Sequence, residues 1–266
     1  MLQQRIGFIG GGAMGEAILK GLLAGGREAR AFLISDLQKE RREFLEKKYQ
    51  VATTAENKVV VENSDVIIFA IKPQNLKVVV DSCASVFNNK KLLISILAGI
   101  TTVMLEGFFP EGSRIVRAMP NTPALVGAGT TVLTGGKFAS EEDLQIALEI
   151  FRGLGNVSIL PEKMLNAVTG LSGSGPAFVA LFVEALADGG VLAGLPRNIA
   201  MKLALDTVAG TAKLLAETGM HPAELKDKVT SPAGTTIYGM LSLEKNGVRG
   251  TIMETVLAAT KRAEEI

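Results

Sequence analysis

Three spaced glycines follow a short apolar run close to the start of the chain. The run is Ile6 to Ile9, and the next residues read Gly10-Gly11-Gly12-Ala13-Met14-Gly15, which fits G-x-G-x-x-G and opens a stretch of helical composition. In such a unit the first glycine permits a tight turn, the second allows close approach of an anionic ligand, and the third lets helix pack on strand. The pattern predicts a strand–turn–helix unit that binds the pyrophosphate of a dinucleotide, and the alternative is a glycine-rich turn without a ligand.

Nearly continuous apolar runs alternate with helical stretches through the first half of the chain. Such runs are expected for parallel strands covered on both faces, with the helices as crossovers between them. The predicted strands are Ile6–Ile9, Ala31–Ser35, Val66–Ile71, Leu92–Leu97, Arg114–Ala118, Thr130–Leu133 and Val157–Leu160. The predicted helices are Ala13–Ala24, Lys39–Tyr49, Asn75–Phe87 and Glu141–Arg152. This order predicts an α/β, doubly wound domain of the Rossmann type over residues 1–160.

The strand pattern stops after Pro161. Helical stretches separated by Gly, Pro and Asn-Gly follow, and they predict an all-helical domain over residues 161–266. These stretches are Pro176–Leu192, Ile199–Glu217, Pro222–Lys228, Thr235–Glu244 and Gly250–Ala263. The segment Phe178 to Leu186 is apolar on nearly all sides, with Glu184 as its only charge, so we expect another subunit to cover it.

Composition narrows the possible partners. Lys and Arg number 28 against 27 Asp and Glu, so there is no basic field of the kind that nucleic-acid binding requires. Cys83 and His221 are the only residues of their types, which predicts no Cys/His metal site. Residues 1–5 lack a secretory signal pattern, and the uncharged run from Met164 to Val183 is broken by glycines and Pro176, so we expect a cytoplasmic protein without a membrane segment.

Asp36 ends the second predicted strand roughly 20 residues after the glycine turn, where an acidic side chain commonly accepts from a ribose hydroxyl. Taken alone, Asp36 favours NAD over NADP as the cofactor. Arg41 and Arg42 follow on the next predicted helix, where a guanidinium is able to clamp a 2′-phosphate. The alternative is that Asp36 caps that helix and that both arginines are solvated.

Three further motifs point to one family. Residues 117–123 read RAMPNTP, residues 171–177 read LSGSGPA, and residues 229–236 read VTSPAGTT, with Leu243-Glu244 following. Together they resemble the pyrroline-5-carboxylate reductases, which catalyse the last step of proline synthesis, and the resemblance covers essentially the whole chain. It implies NADPH as the usual hydride donor, with NADH often accepted. It also implies a homodimer through the helical domain, assembled in many members into a ring of dimers.

The resemblance also assigns site residues. It implies a catalytic role for Thr236, whose hydroxyl would bond the ring nitrogen of the substrate. It implies that the substrate contacts Ser231, Gly234, Thr235, Thr236 and Asn121, and Glu162 falls near a further substrate contact or is simply a first-turn helix charge. The implied cofactor contacts are Gly10, Gly11, Gly12, Ala13, Met14, Gly15, Ser35, Asp36, Asn57, Ala70, Ile71, Lys72, Pro73, Ile96, Leu97 and Ala98.

The residues from Ser231 to Thr236 support this independently. They place free backbone N–H groups and hydroxyls at the start of a helix, which suits a carboxylate, although an ordinary capping turn has the same composition. Two other functions stay open on the sequence alone. One is a β-hydroxyacid dehydrogenase, which has the same layout but typically a lysine soon after a second glycine motif; here the next lysine after Gly175 is Lys202. The other is a protein that senses NADP(H) without turnover.

Overall fold

The computed structural model describes residues 4–265, and the chain forms two compact units. The first unit runs to Gly173 and takes in the end of the chain from Ala259, and the second is Ser174–Ala258. The predicted boundary near residue 160 stays a prediction. Met1 to Gln3 lie outside the described residues, so the expectation of no secretory signal, which rested partly on them, is not addressed by the structure.

The first unit is built on an eight-stranded sheet. Its spatial order is β3-β2-β1-β4-β5-β6-β7-β8, and all neighbours are parallel except β6 and β7, which are antiparallel. The strands are β1 Ile6–Ile9, β2 Phe32–Ser35, β3 Ala52–Thr54, β4 Val66–Phe69, β5 Leu92–Ser95, β6 Arg114–Met119, β7 Gly129–Gly135 and β8 Gly155–Ile159. The predicted α/β doubly wound fold is confirmed.

Helices cover both faces of this sheet. The α-helices of the first unit are α1 Ala13–Ala24, α2 Lys39–Tyr49, α3 Asn57–Glu62, α4 Leu76–Cys83, α5 Thr102–Glu106, α6 Glu141–Arg152 and α7 Leu165–Val168. One buried cluster joins α1, α2 and α6 to one face, and a second joins α3, α4 and α5 to the other. Strands β1, β4 and β5 are buried along their whole length. Burial on both faces explains why, apart from Gly7 and Ser95, their residues are large and apolar at successive rather than alternate positions.

Several elements differ from their predicted bounds. β4 and β5 end at Phe69 and Ser95, two residues earlier than predicted, because the following residues leave the sheet as loops. The single helix predicted over Asn75–Phe87 is α4 flanked by two short 3₁₀ turns. The sequence prediction missed β3, α3, α5 and α7, which have only three, six, five and four residues. Elements this short do not complete enough periods to leave a clear hydrophobic pattern.

The second unit is helical, as predicted. Its helices are α8 Gly175–Leu192, α9 Arg197–Thr218, α10 Pro222–Lys228 and α11 Thr235–Lys245, and α12 Val248–Glu264 begins in it. The buried residues of its core cluster are Val183, Ala187, Ala200 and Ala204, from α8 and α9. Larger apolar side chains of α8 are open to solvent, with Leu181 67% and Leu192 90% exposed.

The run Glu162–Leu192 has the length and apolar composition of a membrane-crossing helix, with a mean hydropathy of 1.5 and only 11% of its most apolar window buried. A helix at a subunit interface passes the same test, because it is also apolar and uncovered in a single chain. The expectation that the chain has no membrane segment therefore stays a prediction.

Candidate active site

The glycine turn joins β1 to α1, and two of its glycines are required by packing. Gly10 has a φ of +99°, and a Cβ there would lie 2.4 Å from the Ala70 carbonyl oxygen. A Cβ on Gly15 would lie 2.7 Å from the carbonyl oxygen of Gly10. The turn is therefore tight because strand β4 and the first turn of α1 both lie against it.

Gly12 differs from its neighbours because a Cβ built on it meets nothing within 4 Å. The space beside Gly12 is thus open. Gly12 is the second glycine of G-x-G-x-x-G, whose backbone is expected to approach the pyrophosphate. The first N–H groups of α1, at Ala13 and Met14, have no acceptor within the helix and carry the positive end of its dipole. This open, donor-rich corner fits the pyrophosphate of a nicotinamide dinucleotide.

Asp36 follows β2 and is bound by the glycine turn. Its Oδ2 accepts from the Gly11 N–H at 2.9 Å, and its Oδ1 accepts from the Gln38 N–H at 2.9 Å. The carboxylate therefore lies beside the glycine turn. It does not cap α2, because the N-cap of that helix is Gln38 and carries no side-chain cap bond. The predicted ribose contact of Asp36 stays a prediction.

Ser35 and Asn57 form an internal pair. The Ser35 hydroxyl lies 2.7 Å from Asn57 Oδ1 and is 1% exposed as a residue, and Asn57 Nδ2 donates to Ser82 Oγ at 3.0 Å. The predicted cofactor contacts of Ser35 and Asn57 stay predictions. The pair links the end of β2 to α3 and α4.

The turns after β4 and β5 lie at the same edge of the sheet as the glycine turn, since all three strands are parallel neighbours. This edge contains Ala70, Ile71, Lys72 and Pro73 after β4, and Ile96, Leu97 and Ala98 after β5. Lys72 is exposed, while the Leu97 side chain is buried and its N–H donates to Ser95 Oγ at 3.3 Å. Ligands of doubly wound folds bind at this edge.

Asn121 follows β6 and uses both ends of its side-chain amide within the protein. Its Nδ2 donates to the Ser172 carbonyl at 3.1 Å, and its Oδ1 accepts from the Thr130 N–H at 2.8 Å. Asn121 thus holds the segment before α8 against β7. The predicted substrate contact of Asn121 stays a prediction.

An ion pair joins β6 to the segment that follows β8, and its arginine is buried while the side chain of its carboxylate is 25% exposed. Arg117 is 1% exposed, and its Nη1 lies 3.3 Å from Glu162 Oε1. The same carboxylate accepts from the Thr102 N–H at 2.7 Å and from the Thr102 hydroxyl at 2.5 Å. Burial lowers the pKa of Arg117, and Glu162 opposes that change. Sequence analysis did not predict this pairing, because its members are 45 and 60 residues apart.

The predicted substrate turn lies in the second unit and leads into α11. Gly234 precedes that helix, its N–H donates to the Ser231 carbonyl at 3.0 Å, and a Cβ on it would lie 2.2 Å from Ser231 Oγ. Ala233 has a φ of +53°, which is uncommon for a residue with a side chain. Gly234 caps α11 without a side-chain hydrogen bond. The N–H groups of Thr235 and Thr236, which have no acceptor within the helix, are thus presented at its start.

The chain has one histidine and one cysteine, His221 and Cys83. His221 Nδ1 accepts from the Ala223 N–H at 3.3 Å and caps α10. Cys83 is fully buried, and desolvation raises the pKa of its thiol to about 11. Among residues 4–265, no group of three or more His, Cys, Asp or Glu side chains is arranged to hold a metal ion.

Comparison with known proteins places the chain in a family. The model for pyrroline-5-carboxylate reductase dimerisation matches residues 162–266, and the model for NADP oxidoreductase, coenzyme F420-dependent, matches residues 5–99. A pyrroline-5-carboxylate reductase from Synechocystis sp. is 51% identical over 98% of this chain and 98% of its own. The chain belongs to the pyrroline-5-carboxylate reductase family.

Solved structures agree with this assignment. A pyrroline-5-carboxylate reductase from Coxiella burnetii superposes with a TM-score of 0.92 at 34% identity, covering 99% of this chain and 98% of that one. A pyrroline carboxylate reductase from Plasmodium falciparum, solved with NADP bound, superposes with a TM-score of 0.90 at 32% identity, covering 100% and 98%. The family predicted from the sequence motifs is confirmed, and with it the class of enzyme and the binding of a nicotinamide dinucleotide.

Proposed function

We propose that this chain reduces Δ1-pyrroline-5-carboxylate to L-proline with a hydride from NADPH, the last step of proline biosynthesis. The observation that carries the proposal is the match to pyrroline-5-carboxylate reductases over nearly the full length of both chains. Neither a β-hydroxyacid dehydrogenase nor a protein that only senses NADP(H) is favoured by that match.

The chemistry needs little from acidic or basic side chains. The protonated cyclic imine of the substrate is already electrophilic, so the enzyme mainly has to align the reactants and stabilise charge. When bound, the nicotinamide supplies the hydride, which adds to the carbon of the C=N bond while the ring nitrogen keeps its proton as an amine. This agrees with a chain that has one histidine, used as a helix cap.

We assign the substrate to the turn before α11. The N–H groups of Thr235 and Thr236 and the Ser231 hydroxyl bind the carboxylate, because they converge at a helix N-terminus. The Thr236 hydroxyl bonds the ring nitrogen. Gly234 is needed because a side chain there would collide with Ser231 Oγ, and this keeps the hydroxyl beside the free N–H groups.

We assign the cofactor to the sheet edge of the first unit. The turn at Gly10 to Gly15 takes the pyrophosphate, Asp36 takes the adenosine ribose, and the turns after β4 and β5 flank the nicotinamide half. Ser35 and Asn57, whose side chains bond to each other at the end of β2, are further proposed cofactor contacts. NADPH is the preferred donor and NADH a second one, and the NADP-bound Plasmodium relative supports the first.

Self-association is part of the proposal. The match to a dimerisation family over residues 162–266 and the exposed apolar side chains of α8 support a homodimer through the helical unit. A subunit rather than lipid then covers the run Glu162–Leu192. We also propose assembly into a ring of dimers, which the family resemblance implies, and a cytoplasmic location. Neither nucleic acid nor a membrane is a proposed partner.

The decisive experiment is an assay of NADPH oxidation with and without pyrroline-5-carboxylate. We expect oxidation that depends on the imine and yields proline in equal amount. Turnover of a β-hydroxyacid instead, or dinucleotide binding with no turnover of either compound, would refute the proposal and favour one of the two alternatives.

A further inference from the structure

Four side chains of α1 and α2 meet beside the glycine turn and form what we call the Glu16 cluster. Glu16 Oε1 accepts from the Tyr49 hydroxyl at 2.6 Å and from Lys48 Nζ at 3.0 Å, and Glu16 Oε2 accepts from Arg41 Nη2 at 2.5 Å. The side chains of Glu16 and Arg41 are only 18% and 22% exposed. The arrangement is therefore a packed network of hydrogen bonds rather than a loose surface ion pair.

Arg41 is one of the two residues that the sequence analysis considered as a clamp for a 2′-phosphate. In the structure its Nε donates to the Gly11 carbonyl at 2.5 Å while Nη2 is bound to Glu16, and its guanidinium carbon lies 5.0 Å from the centre of the Phe44 ring. The guanidinium edge formed by Nε and Nη2, which suits bidentate contact with an oxyanion, is thus occupied.

In the Glu16 cluster one carboxylate pairs with two cations, Arg41 and Lys48. Partial burial raises the pKa of Glu16, but hydrogen bonds from Tyr49, Arg41 and Lys48 outweigh it and lower the pKa to about 2, so the carboxylate is charged at neutral pH. Gly11 connects the Glu16 cluster to Asp36, the residue proposed to bind the ribose. Its N–H donates to Asp36 and its carbonyl accepts from Arg41.

Arg42, the second candidate clamp, is also engaged. Its Nη1 donates to the carbonyls of Asp36 and Leu37 at 2.7 and 3.1 Å. Both arginines are therefore held by protein contacts, Arg41 through Nε and Nη2 and Arg42 through Nη1. Among the contacts described for the two arginines, the one from Arg41 to Glu16 joins two charged side chains, and a substitution of Glu16 removes that charge pairing without altering the arginine.

We propose that Glu16 is a specificity-determining positioning residue that holds Arg41 at the glycine turn and thereby limits the preference for NADPH over NADH. The proposal rests on the dinucleotide site of the proposed function. A 2′-phosphate is a dianion that Arg41 would bind strongly if free, so a carboxylate that neutralises and tethers Arg41 narrows the difference between the two cofactors.

The test compares the dissociation constants of NADP⁺ and NAD⁺ by isothermal titration calorimetry of the full-length protein. Glu16→Gln keeps the shape of the side chain but removes its charge. We expect the ratio of the NAD⁺ to the NADP⁺ dissociation constant to rise by about fivefold or more, because Arg41 gains a charge-assisted bond to the phosphate. A merely structural defect would weaken both cofactors and leave the ratio unchanged.

Two controls test whether the change in the ratio depends on the charge of Glu16 and acts through Arg41. Tyr49→Phe removes one hydrogen bond from Glu16 but leaves its charge and its pairing with Arg41, so we expect a ratio within about twofold of the parent. Adding Arg41→Ala to Glu16→Gln should return the ratio to that of Arg41→Ala alone, because the gain acts through Arg41.

If folded Glu16→Gln leaves the ratio of the NAD⁺ to the NADP⁺ dissociation constant unchanged, the proposal is overturned. A lower ratio also overturns it, because Glu16 would then present Arg41 to the phosphate. If Glu16→Gln does not fold, Arg41→Ala in the parent decides: we expect a change below twofold, and a ratio at least fivefold lower would contradict the inference. A parent that binds neither dinucleotide would instead refute the proposed function on which the inference rests.

Discussion

Thr236 separates catalytic use of the turn before α11 from mere helix capping. Gly234 caps this helix without a side-chain bond, so the Thr236 hydroxyl is not needed for that purpose. Thr236→Val keeps the branched shape and removes the polar contact to the ring nitrogen. We expect kcat/KM for pyrroline-5-carboxylate to fall by roughly fivefold to 150-fold, equivalent to about 1–3 kcal/mol of transition-state stabilisation.

The control for Thr236→Val is cofactor affinity, which should not change because the first unit is untouched. A variant that loses about 1 kcal/mol of unfolding free energy but keeps kcat/KM within twofold of the parent would assign Thr236 to helix stability instead.

Gly12 tests the pyrophosphate site. Because a Cβ there meets no protein atom within 4 Å, Gly12→Val should fold with near-parental stability. The added side chain fills the space left for the ligand, so we expect at least about tenfold weaker NADP⁺ binding, or 1.4 kcal/mol. Gly25→Val, at the other end of α1, is the matched control and should bind NADP⁺ as the parent does. If folded Gly12→Val binds NADP⁺ as tightly as the parent, the glycine turn is not part of the cofactor site.

Glu16 predicts a specific acid sensitivity. Its pKa is about 2 in the folded protein against 4.5 for the free group, so its carboxylate stabilises the fold above pH 4.5. As the pH falls from 4.5 towards 2, the unfolded chain takes up a proton that the folded chain does not, and this stabilisation is lost. We expect urea unfolding at several pH values to show a smaller loss over this range for Glu16→Gln than for the parent. Parallel curves would contradict the assignment.

Among the elements, the pair of Arg117 and Glu162 joins β6, α5 and the start of the 162–173 segment. Two Arg117 nitrogens, Nε and Nη2, are buried without a hydrogen-bond partner, so Glu162 is the main compensation for this charge. Glu162→Gln should lower the unfolding free energy by about 3 kcal/mol, because it leaves a buried cation uncompensated. Chemical denaturation measures this loss.

Two variants test that reasoning. Glu62→Gln breaks an exposed pair with Lys58 on α3 and should change the unfolding free energy by less than about 0.5 kcal/mol. Arg117→Met combined with Glu162→Gln should be more stable than Glu162→Gln alone, since the uncompensated charge is gone. If all three variants lose the same unfolding free energy, Glu162 does not compensate the buried charge of Arg117.

For the assembled protein, the exposed apolar side chains of α8 predict self-association. Light scattering at micromolar concentration should report the mass of a dimer or a multiple of it. Leu181→Glu should shift the mass towards the monomer, because a charge on this face opposes its burial. Val78→Glu, at an equally exposed position of α4, should leave the mass unchanged. A monodisperse parental monomer would contradict the dimer.

Most of the fold was predictable from patterns among residues that are close together in the sequence. The apolar runs of β1, β4 and β5 and the helices α1, α2 and α6 were predictable because their periodicity lies within a few adjacent residues. The glycine turn was predictable for the same reason, since G-x-G-x-x-G encodes a turn between neighbouring elements. The family motifs at residues 117–123, 171–177 and 229–236 are likewise contiguous, so they identified the family without any knowledge of packing.

Contacts between distant residues could not be read in this way. Ser35 turns inward to Asn57, Glu16 binds Arg41 across 25 residues, and Arg117 meets Glu162 across 45. Each pairing depends on which strands become neighbours and which helix lies on which face, and these are results of folding the chain into a sheet covered on both sides. The residue types that could hold a cofactor were visible in the sequence, but whether a side chain is free to do so depends on its partners in space.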